Sequence, residues 1–274
     1  MNYVGRSGPI TPFTLGIMKG MQISCGARLP LSLLALLFAS SSAGFPQAQQ
    51  PDEASIIRGI DGAVKARLEA IAAYSVTEHY AVYRSADEAH PVAERTVKTT
   101  YERGKGKSYV ILSDSGSELI RKLVLDAILD NEKRINLPGA TDHSYMISEN
   151  YEMKLQPGGT QSVNGRDCYV LSINPREKAP NMIIGTLWVD AKDESIVQLQ
   201  GTTSKSVSVF TGPTQVMRQY ANVSGFAEAT HARGASTSFL FGLTVVTIDY
   251  SGYQIQQGAA QSPTRPSAFR ADSR

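Results

Sequence analysis

Cysteine is almost missing from this 274-residue chain, which has two, and tryptophan occurs once and histidine four times. Cys25 precedes the one strongly apolar run and is lost if that run directs export, which leaves Cys168 alone and excludes an internal disulfide in the mature chain. Cys168 sits in a strand-like alternation and reads as a buried, inert thiol. The four histidines, His79, His90, His143 and His231, show neither helical ligand spacing nor a Cys-x-x-Cys partner, so no metal site is expected. A Walker loop and a Gly-x-Ser-x-Gly elbow are both absent, and Gly104-Lys105-Gly106 lacks the third glycine and following helix of a dinucleotide site. Asp142-His143-Ser144 is contiguous, whereas a nucleophile, base and orienting acid are assembled from separated elements. No catalytic residue and no cofactor are expected. Dispersed carboxylates leave a cryptic hydrolase open as a minor alternative.

Charge of one sign is also lacking. Positions 1–43 carry Arg6, Lys19 and Arg28 with no acid, so the remainder has 24 basic against 25 acidic residues. Such a balance gives little drive toward nucleic acid or an anionic bilayer. The acids of the Asp190–Glu194 turn read as solvated surface.

What is present begins with LPLSLLALLF, Leu29 to Phe38, with Lys19 and Arg28 before it and small residues after it. This is the pattern of an export signal, with cleavage expected after Ala43, a cut nearer Ala48 being also compatible, and the true start at Met18 or Met21. Ten apolar residues are too few to cross a hydrocarbon core about 30 Å thick, so no transmembrane segment is expected in the mature chain. The expected organisation is a signal over 1–43, a linker over 44–51, one domain over 52–256 and a disordered tail over 257–274.

A composition of 42% hydrophobic and 19% charged residues supports a sizeable core. Ile56, Ile60, Val64, Leu68 and Ile71 recur at helical spacing and predict a helix of about twenty residues. From Tyr74 the period changes to that of a strand with Val76, Tyr80 and Val82 on one face, followed by strands near 93–103 and 107–112. A second helix is predicted over 117–134, capped by Ser115 or Ser117, with Leu119, Leu123, Ile128 and Leu129 as its apolar stripe. Strands follow at 151–156, 168–174, 183–189, 195–203, 215–223 and 237–253, joined by Pro157-Gly158-Gly159, Asn164-Gly165, Asp190–Glu194 and Gly212-Pro213. Short connectors make sequential strands antiparallel neighbours.

Three segments carry a family likeness: VNGRDCYVLSINP, IIGTLWVDAKDESIVQLQG and TVVTIDYSGYQI. The pattern of Tyr169-x-Leu171, then Gly185-x-x-Trp188-x-Asp190, a strand from Ile196, and Asp249-Tyr250-Ser251-x-Tyr253 resembles the LolA/LolB-like periplasmic lipoprotein carrier superfamily, in particular divergent outer-membrane lipoprotein-sorting homologues. The resemblance implies an α+β fold, mainly antiparallel β: an incomplete, half-open barrel wrapped around two or three helices, located in the periplasm of a bacterial envelope. It further implies a non-catalytic carrier or sensor whose concave face shelters an acyl chain or lipidated protein. On that basis Tyr169, Leu171, Ile173, Leu187, Val189, Val197 and Leu199 are the candidates for the cavity interior. For any single one of these residues, packing on the two helices as core is the favoured alternative. An envelope protein-interaction module working by strand addition is the alternative function.

Overall fold

A computed structural model of the protein describes residues 52–85, 88–139, 145–206, 212–238 and 242–258. The expected export signal, the Asp142-His143-Ser144 triplet and the tail beyond Gly258 lie outside the described residues.

The first helix, α1 (Glu53–Ala70), buries Ile56 and Ile60. It stops before Ile71, which the sequence pattern assigns to its stripe but which opens strand β1 (Ile71–Tyr83). The stop has an identifiable cause. The Arg103 guanidinium takes the Glu69 and Ile71 carbonyl oxygens at 2.6 and 2.7 Å, satisfying acceptors that a helix end leaves orphaned.

Strand β1 is followed by β2 (Ala93–Glu102) and β3 (Gly106–Gly116). A mixed helical segment comes next, formed by α2 (Glu118–Ile120), a π-helical stretch over Arg121–Asp126, and α3 (Ala127–Ile135). Ser117 is its cap, accepting from the Ile120 N–H. The predicted stripe holds at its C-terminal half, where Leu129 is buried and Ile128 packs against the core, and fails at its N-terminal half. Leu119 and Leu123 are 61% and 50% exposed, whereas Ile120, Leu125 and Leu129 are buried. The wider π turn shifts the helix face, so that Leu125 enters the core while Asp126 reaches Arg95 of β2.

The remaining strands are β4 (Tyr151–Leu155), β5 (Gln161–Val163), β6 (Arg166–Pro175), β7 (Ile183–Asp190), β8 (Ile196–Thr203), β9 (Gln215–Val223), β10 (Phe226–Ser238) and β11 (Gly242–Gln257). Strand β10 is absent from the sequence reading, which joins its end to β11 in one strand over 237–253. Its FAEATHARGASTS sequence is rich in small residues and shows no apolar alternation. Pairing with β9 and β11 makes it a strand. The β9–β10 turn is Ser224-Gly225, both at positive φ, 54° and 92°, as a tight hairpin requires.

All strands belong to one antiparallel sheet, ordered β3-β2-β1-β11-β10-β9-β8-β7-β6-β4, with β5 also on β6. The two ends of this path, β3 and β4, do not pair with each other, so the barrel is open. The mainly antiparallel, half-open fold expected from the sequence is therefore present. One core packs Ile56 and Ile60 of α1 on Tyr151, Met153, Leu171, Ile173, Leu187, Val189 and Leu199. A second packs Ile120, Leu125 and Leu129 on Tyr80, Val82, Ala93 and Val97. Gly185 and Gly201 face each other across β7 and β8, where a Cβ on either would run into the other strand's backbone.

A candidate binding cavity between the two helical layers

Directly paired residues of neighbouring strands share a face, and the register traces one inward row across the sheet: Leu155, Leu171, Leu187, Leu199, Arg218, Ala232, Ile248 and Tyr80. The four leucines lie at the α1 end. Where the row leaves them, a cation replaces an aliphatic side chain.

At that point the inner face borders a cavity of about 590 Å³, a size suited to a small amphiphile. Residues of both α1 and α3 line it, together with strands from both halves of the sheet. Its apolar wall includes Val64 of α1, Val76 of β1, Ile183 of β7, Leu199 of β8 and Val216 of β9.

The same lining also carries charged and aromatic groups. Arg67 of α1 donates from Nε and Nη2 to the two carboxylate oxygens of Glu228, both at 2.8 Å, a bidentate pair. Lys107 of β3 donates to Glu132 of α3 at 2.9 Å. Burial works against the Lys107 ammonium, but Glu132, with Tyr74 and Glu78, outweighs it and holds the lysine above its usual value. Burial likewise disfavours the Glu132 carboxylate, and Lys107 and Arg218 together pull it below the usual carboxylate range. Buried Glu78 accepts the Tyr80 hydroxyl proton at 2.5 Å. Burial, reinforced by Glu78, pushes the Tyr80 phenol up, so it remains the donor.

Tyrosines complete the lining. The Tyr253 hydroxyl donates to the Ala229 carbonyl at 2.8 Å, and Tyr74 stacks on Tyr101 with ring centroids 5.1 Å apart. Burial raises Tyr74, Tyr250 and Tyr253 alike, leaving neutral phenols as hydrogen-bonding groups. Arg218 is set apart from the other two cations. Its Nε is buried and has no hydrogen-bond partner, and no carboxylate among the described residues lies within ion-pair distance of its guanidinium.

Of the seven residues expected inside, Leu199 lines this cavity. Tyr169 borders a smaller pocket of about 220 Å³ with Glu53, Leu155 and the Pro157-Gly158-Gly159 turn. Leu171, Ile173, Leu187 and Val189 lie in the core beneath α1, and Val197 is fully buried. The helix occupies the concavity at that end, and the open space falls one strand further on. Arg67, Glu78, Lys107, Arg218 and Glu228 also line the cavity and belong to no sequence motif. The alternation Val216, Arg218, Tyr220 carried a signal, because a basic residue between two inward apolar positions of a strand needs a reason to be there.

Cys168 is buried, and burial raises its thiol. The Asp190–Glu194 turn is not merely solvated surface. Asp190 is buried and accepts from Arg166 Nε at 2.5 Å and from the Lys192 N–H at 2.7 Å, which locks the turn. Among the described residues no three His, Cys, Asp or Glu side chains cluster as a metal site requires, and no helix is long and apolar enough to cross a membrane.

No protein-family profile and no curated protein matches the chain. Among solved structures it is similar to a domain named for outer membrane lipoprotein sorting from Vibrio parahaemolyticus, at 15% identity and a TM-score of 0.42 over 74% of this chain and 93% of that one. A LolA superfamily protein from Nitrosomonas europaea gives 14% identity and a TM-score of 0.39, covering 74% and 93% of the two chains. A DUF1329 family protein from Desulfovibrio piger gives 14% and 0.36, covering 75% and 95%. The likeness to LolA-type structures is thus one of chain tracing, and with TM-scores under 0.5 it supports no statement about ligand or partner.

Proposed function

We propose that this protein is a non-catalytic binding protein of the bacterial envelope, a carrier or sensor that holds an acyl chain in the cavity between α1, α3 and the sheet. The observation that carries this reading is the mixed lining of the cavity, in which Val64, Val76, Leu199 and Val216 stand among fixed ion pairs and phenols. An apolar chain gains about 25 cal/mol per Å² buried against the apolar lining residues, before the costs of association. The charged and phenolic groups of the lining accommodate the polar end. The export signal read at Leu29–Phe38 supports an envelope location.

The test is native mass spectrometry of the chain purified from an envelope fraction, followed by organic extraction. A stoichiometric acyl-containing ligand is expected, and Val64→Glu and Val216→Glu, which place a carboxylate on the apolar wall, abolish it while leaving the far-ultraviolet circular dichroism unchanged. A clean apo mass together with no uptake of acyl ligands removes the proposal.

One observation favours a second reading. β3 ends the sheet, and its Val110, Ile111 and Leu112 are 65%, 45% and 57% exposed. An apolar sheet edge is a template for strand addition by a partner protein. A photo-crosslinker at position 112 distinguishes the two roles: a single adduct formed by a chain that carries no lipid favours the interaction module.

A further inference from the structure

The two ends of the sheet differ in what they can pair with. At one end β4 is five residues long and carries Glu152 and Lys154 as an exposed ion pair at 2.9 Å, which blunts it against further strands. At the other end β3 runs for eleven residues, and the stretch from Ser108 to Ser113 carries no charge. Val110, Ile111 and Leu112 stand exposed at its middle. The charges that bound this stretch are matched within the chain, Lys107 by Glu132 and Asp114 by Arg95. A strand laid on β3 therefore meets apolar side chains and backbone hydrogen-bonding groups, and no unmatched charge.

This edge is complementary to itself. When two antiparallel copies of β3 are related by a two-fold axis beside Ile111, Ile111 meets its own copy, Val110 meets Leu112, and Tyr109 meets Ser113. The three exposed apolar residues then cover one another. The sequence also runs from basic to acidic, with Lys105 and Lys107 before the apolar stretch and Asp114 and Glu118 after it. Reversing the second copy sets each basic end beside an acidic end. A head-to-tail array would instead have to use β4, which is short and charged. The bulge that inserts Leu112 between Ile111 and Ser113 twists the edge and keeps the pairing short.

We propose that β3 is a self-association edge, at which two copies of this chain join their sheets about a two-fold axis beside Ile111. The inference rests on the strand-addition reading of β3 above and commits it to a second copy as the partner. Such an interface is small, so the dimer is weak and its population follows concentration.

The experiment is sedimentation equilibrium of the chain purified from an envelope fraction, from about 1 to about 200 μM. The weight-average mass is expected to rise from one chain toward two and to stop there. Val110→Lys/Leu112→Lys sets lysine against lysine at both flanking pairs and is expected to weaken association at least about tenfold. Val110→Lys/Leu112→Glu sets lysine against glutamate in the same register and restores it. Both positions are exposed, so the circular dichroism of the two variants is expected to match the parent. Ile111→Cys in a Cys25→Ser background forms an intermolecular disulfide on mild oxidation, which a cysteine at the exposed position of Leu137 does not. A dimer that the lysine variant leaves unchanged overturns the inference. A monomer throughout, with a photo-crosslinker at position 112 joining a different protein, overturns the second copy and leaves strand addition standing, whereas a monomer with no adduct overturns both.

Discussion

Glu228 on β10 receives both donors of the Arg67 fork from α1 at 2.8 Å, across 161 residues of sequence. The contact ties the N-terminal helix to the strand that the sequence pattern hides, and it does so on the wall of the cavity. The pair therefore fixes the helix relative to the sheet as well as partitioning charge.

Removing one member leaves the other charged and largely dehydrated. Arg67→Met is expected to lower the unfolding free energy by about 2–4 kcal/mol. The double variant Arg67→Met/Glu228→Leu should recover most of that loss, because an apolar pair leaves no orphaned charge. Urea unfolding of the three proteins measures both numbers. A single variant as stable as the parent means the pair is not held in solution.

The Lys107–Glu132 pair sets a pH window. Glu132 is held below its ordinary value, so the unfolded state binds the proton first, and the contribution is present above the unfolded carboxylate value of about 4.3 and lost as pH falls through the folded one. Lys107 is held above its ordinary value, so its contribution is complete below about 10.4 and lost as pH rises through the folded value. Stability against pH from urea titrations should lose part of its acid limb in Glu132→Gln and part of its alkaline limb in Lys107→Met. Superimposable profiles would contradict the pairing.

The helix phase is testable with two neighbouring leucines. Leu125→Ala empties a fully buried site and is expected to cost about 2–5 kcal/mol, while Leu123→Ala on the exposed face stays within about 0.5 kcal/mol. The reverse order would restore the stripe that uniform α-helical spacing predicts.

At the Gly185–Gly201 crossing, a single methyl group has no room between backbones. Gly201→Ala is expected to cost about 1–3 kcal/mol through overpacking, and amide exchange should show the loss as faster opening of β7 and β8 before any other part of the sheet. Gly62→Ala meets open space within α1 and is the matched control, expected to be neutral or slightly stabilising.

Local chemistry determined much of this protein in advance. The apolar periods placed α1 and most strands, Asn164-Gly165 marked a turn whose residues have φ of 51° and 77°, and Ser117 announced a helix start, because each of these preferences is settled within a few residues of chain. Three features were decided only by tertiary structure. β10 is made by its neighbours, since FAEATHARGASTS has no pattern of its own and gains its hydrogen bonds from β9 and β11. The π turn at Arg121–Asp126 satisfies Leu125 and Asp126 together, a condition imposed by the core and by Arg95. The position of the cavity depends on where α1 lies across the sheet: the helix fills the concavity over Leu171 and Leu187 and leaves it open beside Arg218, and a strand's sequence shows which face is apolar but not what comes to cover it.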